Sequence, residues 1–360
     1  MYRARIEAAA SESIARYQEW LGAPAADGAV VALDLPWQSA PSSMDVESQV
    51  AYGLARAWWP RAMTTGEVAP LMDGLAWYLQ SRVIERLFDL TFHSPGHSSE
   101  GVRFFGGAVP WAFPSITAGR WSAGLGRTEF LGGANLDRWP QLARRLPPGF
   151  NATTAQGALA FGTLERWLGW PVLEGALRAL ALRASQGAMT REQVEQTISA
   201  AAGQPLSWVF SSAFDGSRRL DYALTDVSIG ARQAPCANEL CYETRATVVR
   251  RGSAAFSGSD RSPVGEYEAG DALELRVTFA DGQVSSVRWD GRAQSKAFAF
   301  ESATPPVTVR LDPDSILLSD ASTLDDSWTA ATTTNVPLKK WLAWWLIWLQ
   351  NAALSYSALL

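Results

Sequence analysis

The hydrophobic pattern changes period once along the chain, and this change limits the folds that the chain can adopt. Up to about residue 226, apolar residues recur at the spacing of a helix. The first such stripe consists of Ile6, Ile14, Tyr17 and Leu21. From residue 227 onward, short runs alternate between apolar and polar residues, which is the period of a half-buried strand. The sequence therefore predicts a mainly helical unit over residues 1–226 and a small β-sandwich over residues 227–318.

Two later helices are predicted inside the helical unit. Residues 164–183 and 190–202 repeat the helical spacing of apolar side chains. Thr190 and Gln193 stand three residues apart at the start of the second helix, which predicts a capping box between them. Gly203 follows the helix and predicts its end, because glycine is common just past the last turn.

Strands are predicted for residues 244–249, 273–279 and 284–289 of the β-rich part. Asp281-Gly282 lies between the last two strands and predicts a hairpin turn, because these residue types tolerate the positive φ that tight hairpins need.

The end of the chain has two distinct compositions. Residues 319–340 are mainly Ser, Thr, Ala and Asp and predict a linker. Residues 341–360 contain no charged side chain. At about 1.5 Å per residue, a helix of this length roughly matches the hydrocarbon core of a bilayer. We therefore predict a hydrophobic helix that associates with a membrane, either spanning it or lying on it; the alternative is a buried helix.

The charge balance and the cysteines limit partners and compartment. The net charge is -5 and no run of Lys or Arg is long enough to neutralise a phosphate backbone, so nucleic acid is not expected as a partner. Cys236 and Cys241 are separated by four residues, and a small disulfide-bonded loop or two unpaired thiols both remain open. A disulfide would indicate an oxidising compartment.

Two helical segments carry a resemblance to a known family. Residues 51–59 read AYGLARAWW and residues 71–79 read LMDGLAWYL. They resemble the centre of the zinc aminopeptidases of the membrane alanyl type, which are gluzincins with the motifs HELAHQWWG and WLNEGFAxY. The similarity covers about residues 14–226. It implies an α+β multidomain fold, with a mainly α-helical thermolysin-like peptidase domain before the β-sandwich and the C-terminal hydrophobic helix.

The positions that carry chemistry in this family are replaced. Tyr52 and Arg56 stand where the two zinc-binding histidines are expected, and Gly53 stands at the general base. Asp73 stands at the third ligand, and Thr154 at the tyrosine that stabilises the oxyanion. Because a guanidinium cannot bind zinc, we expect neither zinc nor another cofactor at this site.

Other residues offer weaker alternatives. His93 and His97 are the only histidines, and Pro95-Gly96 between them forbids a regular helix that would align them. We read them as a loop pair, and a weak metal site with Glu100 remains open. Residues that could line a retained cleft are aromatic: Trp58, Trp59, Trp77, Trp111 and Trp121. The alternative is that these tryptophans belong to the core, and this alternative is favoured for Trp58 and Trp59.

The resemblance and its departures together predict a non-catalytic aminopeptidase-like protein that binds a peptide or protein partner and associates with a membrane through residues 341–360. The alternative is an active zinc metallo-aminopeptidase or another hydrolase with a rebuilt site. The expected location is a bacterial-type envelope membrane. The side of the membrane remains open, because Lys339-Lys340 favours a cytoplasmic side and a disulfide favours the opposite one.

Overall fold

The structure is a computed structural model, and the residues that it describes are 2–22, 45–87, 152–214, 220–236, 239–256, 273–314, 316–320 and 325–330. They fall into two compact units. The first lies within residues 1–162 and 170–202, and the second within residues 163–169 and 203–332. Among the described residues there are eight helices and seven strands.

Helices build the first unit. Their bounds are Tyr2–Leu21 (α1), Asp45–Ala57 (α2), Arg61–Thr65 (α3), Ala69–Leu87 (α4), Ala152–Leu168 (α5), Trp170–Ala184 (α6) and Arg191–Ala202 (α7). The last residues of α5 belong to the second unit, together with one further helix, Ser207–Phe214 (α8). In the first unit α1, α2 and α4 pack on one another, and α6 packs on α1 and α7.

The buried face of α1 agrees with the predicted stripe at Tyr17 and Leu21 and differs from it at Ile14. Ile14 is 39% exposed, whereas Tyr17 is fully buried and its hydroxyl donates a hydrogen bond of 2.9 Å to the carbonyl oxygen of Ala51 in α2. Ala9 and Trp20 are buried beside it. The buried face is therefore rotated relative to the predicted stripe. The neighbouring helices determine which face of α1 is covered, and the sequence of α1 alone does not reveal where they pack.

The predicted helix over residues 164–183 is interrupted. Gly169 has a φ of 81°, and its N–H donates to the carbonyl oxygen of Glu165 at 2.8 Å, so α5 ends there in a left-handed turn. The capping box of α7 is confirmed: the N–H of Thr190 donates to Gln193 at 3.0 Å, and the N–H of Gln193 to Thr190 at 3.3 Å. The predicted stop at Gly203 is also confirmed, with a φ of 72°.

Two antiparallel sheets form most of the second unit. The strands are Tyr222–Cys236 (β1), Glu239–Arg250 (β2), Leu273–Phe279 (β3), Val284–Trp289 (β4), Ser295–Ser302 (β5), Pro306–Leu311 (β6) and Ser327–Thr329 (β7). The sheet orders are β1-β2-β5 and β4-β3-β6-β7. Strands β1 and β2 of the first sheet contact β6 of the second. Strand β7 lies in the stretch for which a linker was predicted.

The local strand predictions hold. Strands β3 and β4 have the predicted bounds, and the turn between them is the predicted one. Gly282 has a φ of 83°, and the N–H of Gln283 donates to the Asp281 carboxylate at 2.9 Å. Along β3 buried residues alternate with half-buried ones, as expected for a strand with one face in a core.

The predicted fold class as a whole is wrong. The described residues form helices of 5 to 20 residues and two small antiparallel sheets, not a large thermolysin-like domain followed by a C-terminal hydrophobic helix. None of the described helices combines the length and the apolar character needed to cross a bilayer. Residues 341–360 lie outside the described residues. Two matching helices carry only a local packing pattern, which different helical folds can share, so they could not specify a whole domain.

Candidate functional site

The residues at the expected metal-binding positions lie on two packed helices. Tyr52 and Arg56 stand four residues apart on α2 and therefore share one face of that helix. Asp73 lies on α4, which packs directly against α2. Three of the positions singled out by the resemblance are thus brought together.

Arg56 and Asp73 form an ion pair across the two helices. The Nε atom of Arg56 lies 2.7 Å from Oδ1 of Asp73. The Asp73 side chain is 13% exposed, whereas that of Arg56 is 42% exposed. The Nη2 atom of Arg56 also donates a hydrogen bond of 2.8 Å to the carbonyl oxygen of Thr64 in α3. The guanidinium therefore holds three helices together and lies directly against the carboxylate.

Tyr52 completes this cluster. Its hydroxyl is buried near the Asp73 carboxylate, and its ring lies 5.2 Å from the ring of Trp77, centroid to centroid, at an angle of 37°. Burial, reinforced by the negative charge of Asp73, raises the pKa of the Tyr52 hydroxyl well above its usual range. The phenol therefore stays protonated and neutral at ordinary pH.

The electrostatics of Asp73 reflect its burial. Desolvation raises the pKa of the carboxyl, and the Arg56 guanidinium and the Tyr52 hydroxyl oppose that rise. One carboxylate, one phenol and one guanidinium make a poor metal site, since only the carboxylate is an ordinary zinc ligand. Within the described part of the chain, no group of three or more His, Cys, Asp or Glu residues is placed to hold a metal ion.

The remaining degenerate positions lie on α2 and α5. Gly53 follows Tyr52 on α2. Thr154 is fully buried in the first turn of α5, one turn before Gly157. Gly157 is where α5 touches α4, because a Cβ placed on Gly74 would lie 2.7 Å from its Cα atom. The rings of Tyr78 on α4 and Phe161 on α5 are 6.0 Å apart, which is a second contact between these two helices.

The tryptophans predicted to line a cleft divide into separate groups. Trp58 is 5% exposed and Trp59 is 1% exposed, and the ring of Trp58 packs edge-on against Tyr17 at 5.7 Å. These two rings belong to the core and do not line an open cleft. Trp77 is half-buried beside Tyr52 and is accessible in part. The other predicted site residues lie outside the described residues: Trp111, Trp121, His93, His97 and Glu100.

Arg82 is a buried cation that the sequence reading missed. It is 5% exposed, and its guanidinium carbon lies 3.4 Å from the ring centroid of Trp170 and 5.3 Å from that of Trp20. Cation–π attraction of this kind is strongest where water is excluded. The sequence pattern could have predicted this burial, because Arg82 continues the apolar stripe of Leu75 and Leu79 at helical spacing.

The two cysteines belong to the β1–β2 hairpin. Cys241 is disulfide-bonded, and the chain contains one other cysteine, Cys236. In the ladder, Cys241 pairs with Arg232 and Cys236 pairs with Glu239. The disulfide therefore lies where the two strands approach their connection.

No protein-family model matches the chain, and a search among curated proteins finds no match either.

Proposed function

We propose that this chain is a non-catalytic relative of the zinc aminopeptidases, in which an internal ion pair stands in the place of the metal. The observation that carries the proposal is the 2.7 Å contact between Arg56 on α2 and Asp73 on α4. These are two of the positions that the resemblance aligns with metal ligands. They meet across a helix pair, as ligands of one ion would have to.

The cluster supports loss of catalysis for electrostatic reasons. A zinc ion near Asp73 would lie against the Arg56 guanidinium, and the two positive charges would repel each other strongly in a partly buried site. The neutral Tyr52 phenol cannot offset that repulsion. Gly53, at the position aligned with the general base, has no side chain that could accept a proton from water.

Peptide or protein binding is the activity that this surface supports best. Trp77 and Tyr52 present an aromatic pair next to Arg56, whose side chain is 42% exposed. Tryptophan, tyrosine and arginine are the side chains that most often dominate the free energy of binding at protein interfaces. Because the Arg56 guanidinium is held by Asp73 and Thr64, a partner would meet it already oriented, which reduces the entropy lost on binding.

A metal-reconstitution experiment tests this proposal. We expect the purified wild-type chain to contain no stoichiometric zinc and to cleave no aminoacyl amide. The variant Tyr52→His/Gly53→Glu/Arg56→His/Asp73→Glu should bind one zinc ion, because it restores three ligands and removes the cation. Zinc content is measured by elemental analysis and affinity by competition with a chromogenic chelator. Tightly bound zinc or aminopeptidase turnover in the wild-type chain would show the alternative, an active hydrolase.

The matched control variant retains the Arg56 cation and restores the family residues at the other three positions. Tyr52→His/Gly53→Glu/Asp73→Glu retains Arg56, so we expect its zinc affinity to be lower than that of the fourfold variant by at least about a factor of ten. Circular dichroism checks that both variants are folded. If neither folded variant binds zinc, the three positions do not form a former metal site. If both bind it equally, the Arg56 cation is not what excludes the metal.

We further propose that residues 341–360 attach the protein to a membrane, in line with their uncharged, tryptophan-rich composition. The full chain should float with anionic and neutral liposomes and should remain bound in high salt, because the attachment is apolar. A chain truncated after Asn335 should stay in the aqueous fraction with an unchanged circular dichroism spectrum of its folded units. Flotation of both chains, or of neither, would count against membrane attachment by this segment.

A further inference from the structure

The longest of the described strands, β1, lies at the edge of its sheet. Strand β1 has 15 residues and pairs with β2 on one side, in the order β1-β2-β5. Near its start the opposite side is covered, because the N–H of Leu224 donates to the carbonyl oxygen of Asp325 at 2.8 Å. From Asp226 to Arg232, no strand among the described residues pairs with that second side.

Residues 226–232 of β1 have few of the features that prevent an edge strand from pairing with another strand. Residues 226–232 contain no proline and no lysine, and their pairing with β2 is regular, since the register shifts lie before Asp226 and after Arg232. Ile229 is 42% exposed, and a Cβ added at Gly230 would meet no atom within 4 Å. A long, regular edge with an exposed β-branched residue is a template for pairing with another strand.

We propose that this edge pairs with the same edge of a second copy of the chain, in an antiparallel arrangement centred on Ile229. In that register Ile229 of each copy lies opposite Ile229 of the other, and Val227 lies opposite Ala231. Asp226 lies opposite position 232, where the sequence has arginine, so each dimer gains two pairs of opposite charge. This charge complementarity under two-fold symmetry selects a second copy as the partner.

The geometry also sets the strength of the association. Two hairpins joined along seven residues bury much less surface than the roughly 1,600 Å² of a standard interface. Each exposed pair of opposite charges contributes only about 0.2–1 kcal/mol. The dimer is therefore weak, with a dissociation constant on the order of micromolar or higher. Because the disulfide at Cys241 ties β1 to β2, the edge is held extended before the second copy arrives.

Sedimentation equilibrium of the full chain over a concentration series, in density-matched detergent, tests the proposal. The wild-type chain should pass from monomer to dimer and stop there, because the two-fold contact is closed. Asp226→Arg places two arginines opposite each other at both ends of the contact and should weaken dimerisation by a factor of about ten or more. The double variant Asp226→Arg/Arg232→Asp restores opposite charges and should recover the wild-type dissociation constant.

Val284→Lys is the matched control, because Val284 is an exposed β-branched residue on a different edge strand, β4. It should leave the dissociation constant unchanged. A monomer at every concentration, an open series of larger oligomers, or a dimer that ignores the charge reversal and its rescue would each overturn the proposal. The result is independent of the proposed loss of catalysis, since no residue of the Arg56 cluster takes part.

Discussion

Replacing Gly74 with alanine is expected to lower the free energy of unfolding of the helical unit by about 1–3 kcal/mol. A Cβ at this position would lie 2.7 Å from the Cα and 2.8 Å from the carbonyl carbon of Gly157. Both are backbone atoms of α5, so no side-chain rotation can relieve the contact and the two helices must move apart. Chemical denaturation and hydrogen exchange of the α4 and α5 amides measure the effect.

Gly175→Ala is the matched control for this substitution. Gly175 is also in the interior of a helix, α6, but a Cβ there would meet no atom within 4 Å. We expect it to raise the free energy of unfolding by up to about 1 kcal/mol, since alanine is the better helix former. Equal effects at both positions would mean that α4 and α5 do not cross at Gly74.

Tyr222→Phe is expected to lower the free energy of unfolding of the second unit by about 2–4 kcal/mol. The Tyr222 hydroxyl accepts a hydrogen bond of 2.7 Å from the N–H of Phe256 and donates one of 2.9 Å to the carbonyl oxygen of Gly291. The tyrosine is 1% exposed, and its ring packs edge-on against Trp289 at 5.6 Å. Phenylalanine keeps the ring but leaves two buried backbone groups unsatisfied.

The pH dependence of stability distinguishes this network from simple packing. Burial raises the pKa of Tyr222 to about 12, above the ordinary value of 10.0. The folded state therefore holds this proton more tightly, so the stability contribution is complete below pH 10 and is lost as the pH rises toward 12. Tyr222→Phe should reduce the loss of stability between pH 10 and pH 12, which denaturation at a series of pH values measures.

The sequence by itself determined the features that depend on neighbours along the chain. Strands β3 and β4 and the turn at Asp281-Gly282 were predictable, because alternation and turn preferences act within a few residues. The capping box of Thr190 and Gln193 is equally local, since both of its hydrogen bonds join residues three apart. The change from helical to strand periodicity was visible for the same reason.

The tertiary structure alone decided what lies across from each element. Ile14 is exposed although it fits the apolar stripe of α1, and Arg82 is buried although it carries a charge, because the packing of other helices determines both positions. The predicted fold class was wrong for a related reason. Motifs that match on two helices do not specify which other elements pack around those helices. The contact between Arg56 and Asp73 joins residues 17 apart on different helices. The sequence motifs singled out both residues. Only the packing of α2 against α4 brings the Arg56 guanidinium to 2.7 Å from the Asp73 carboxylate.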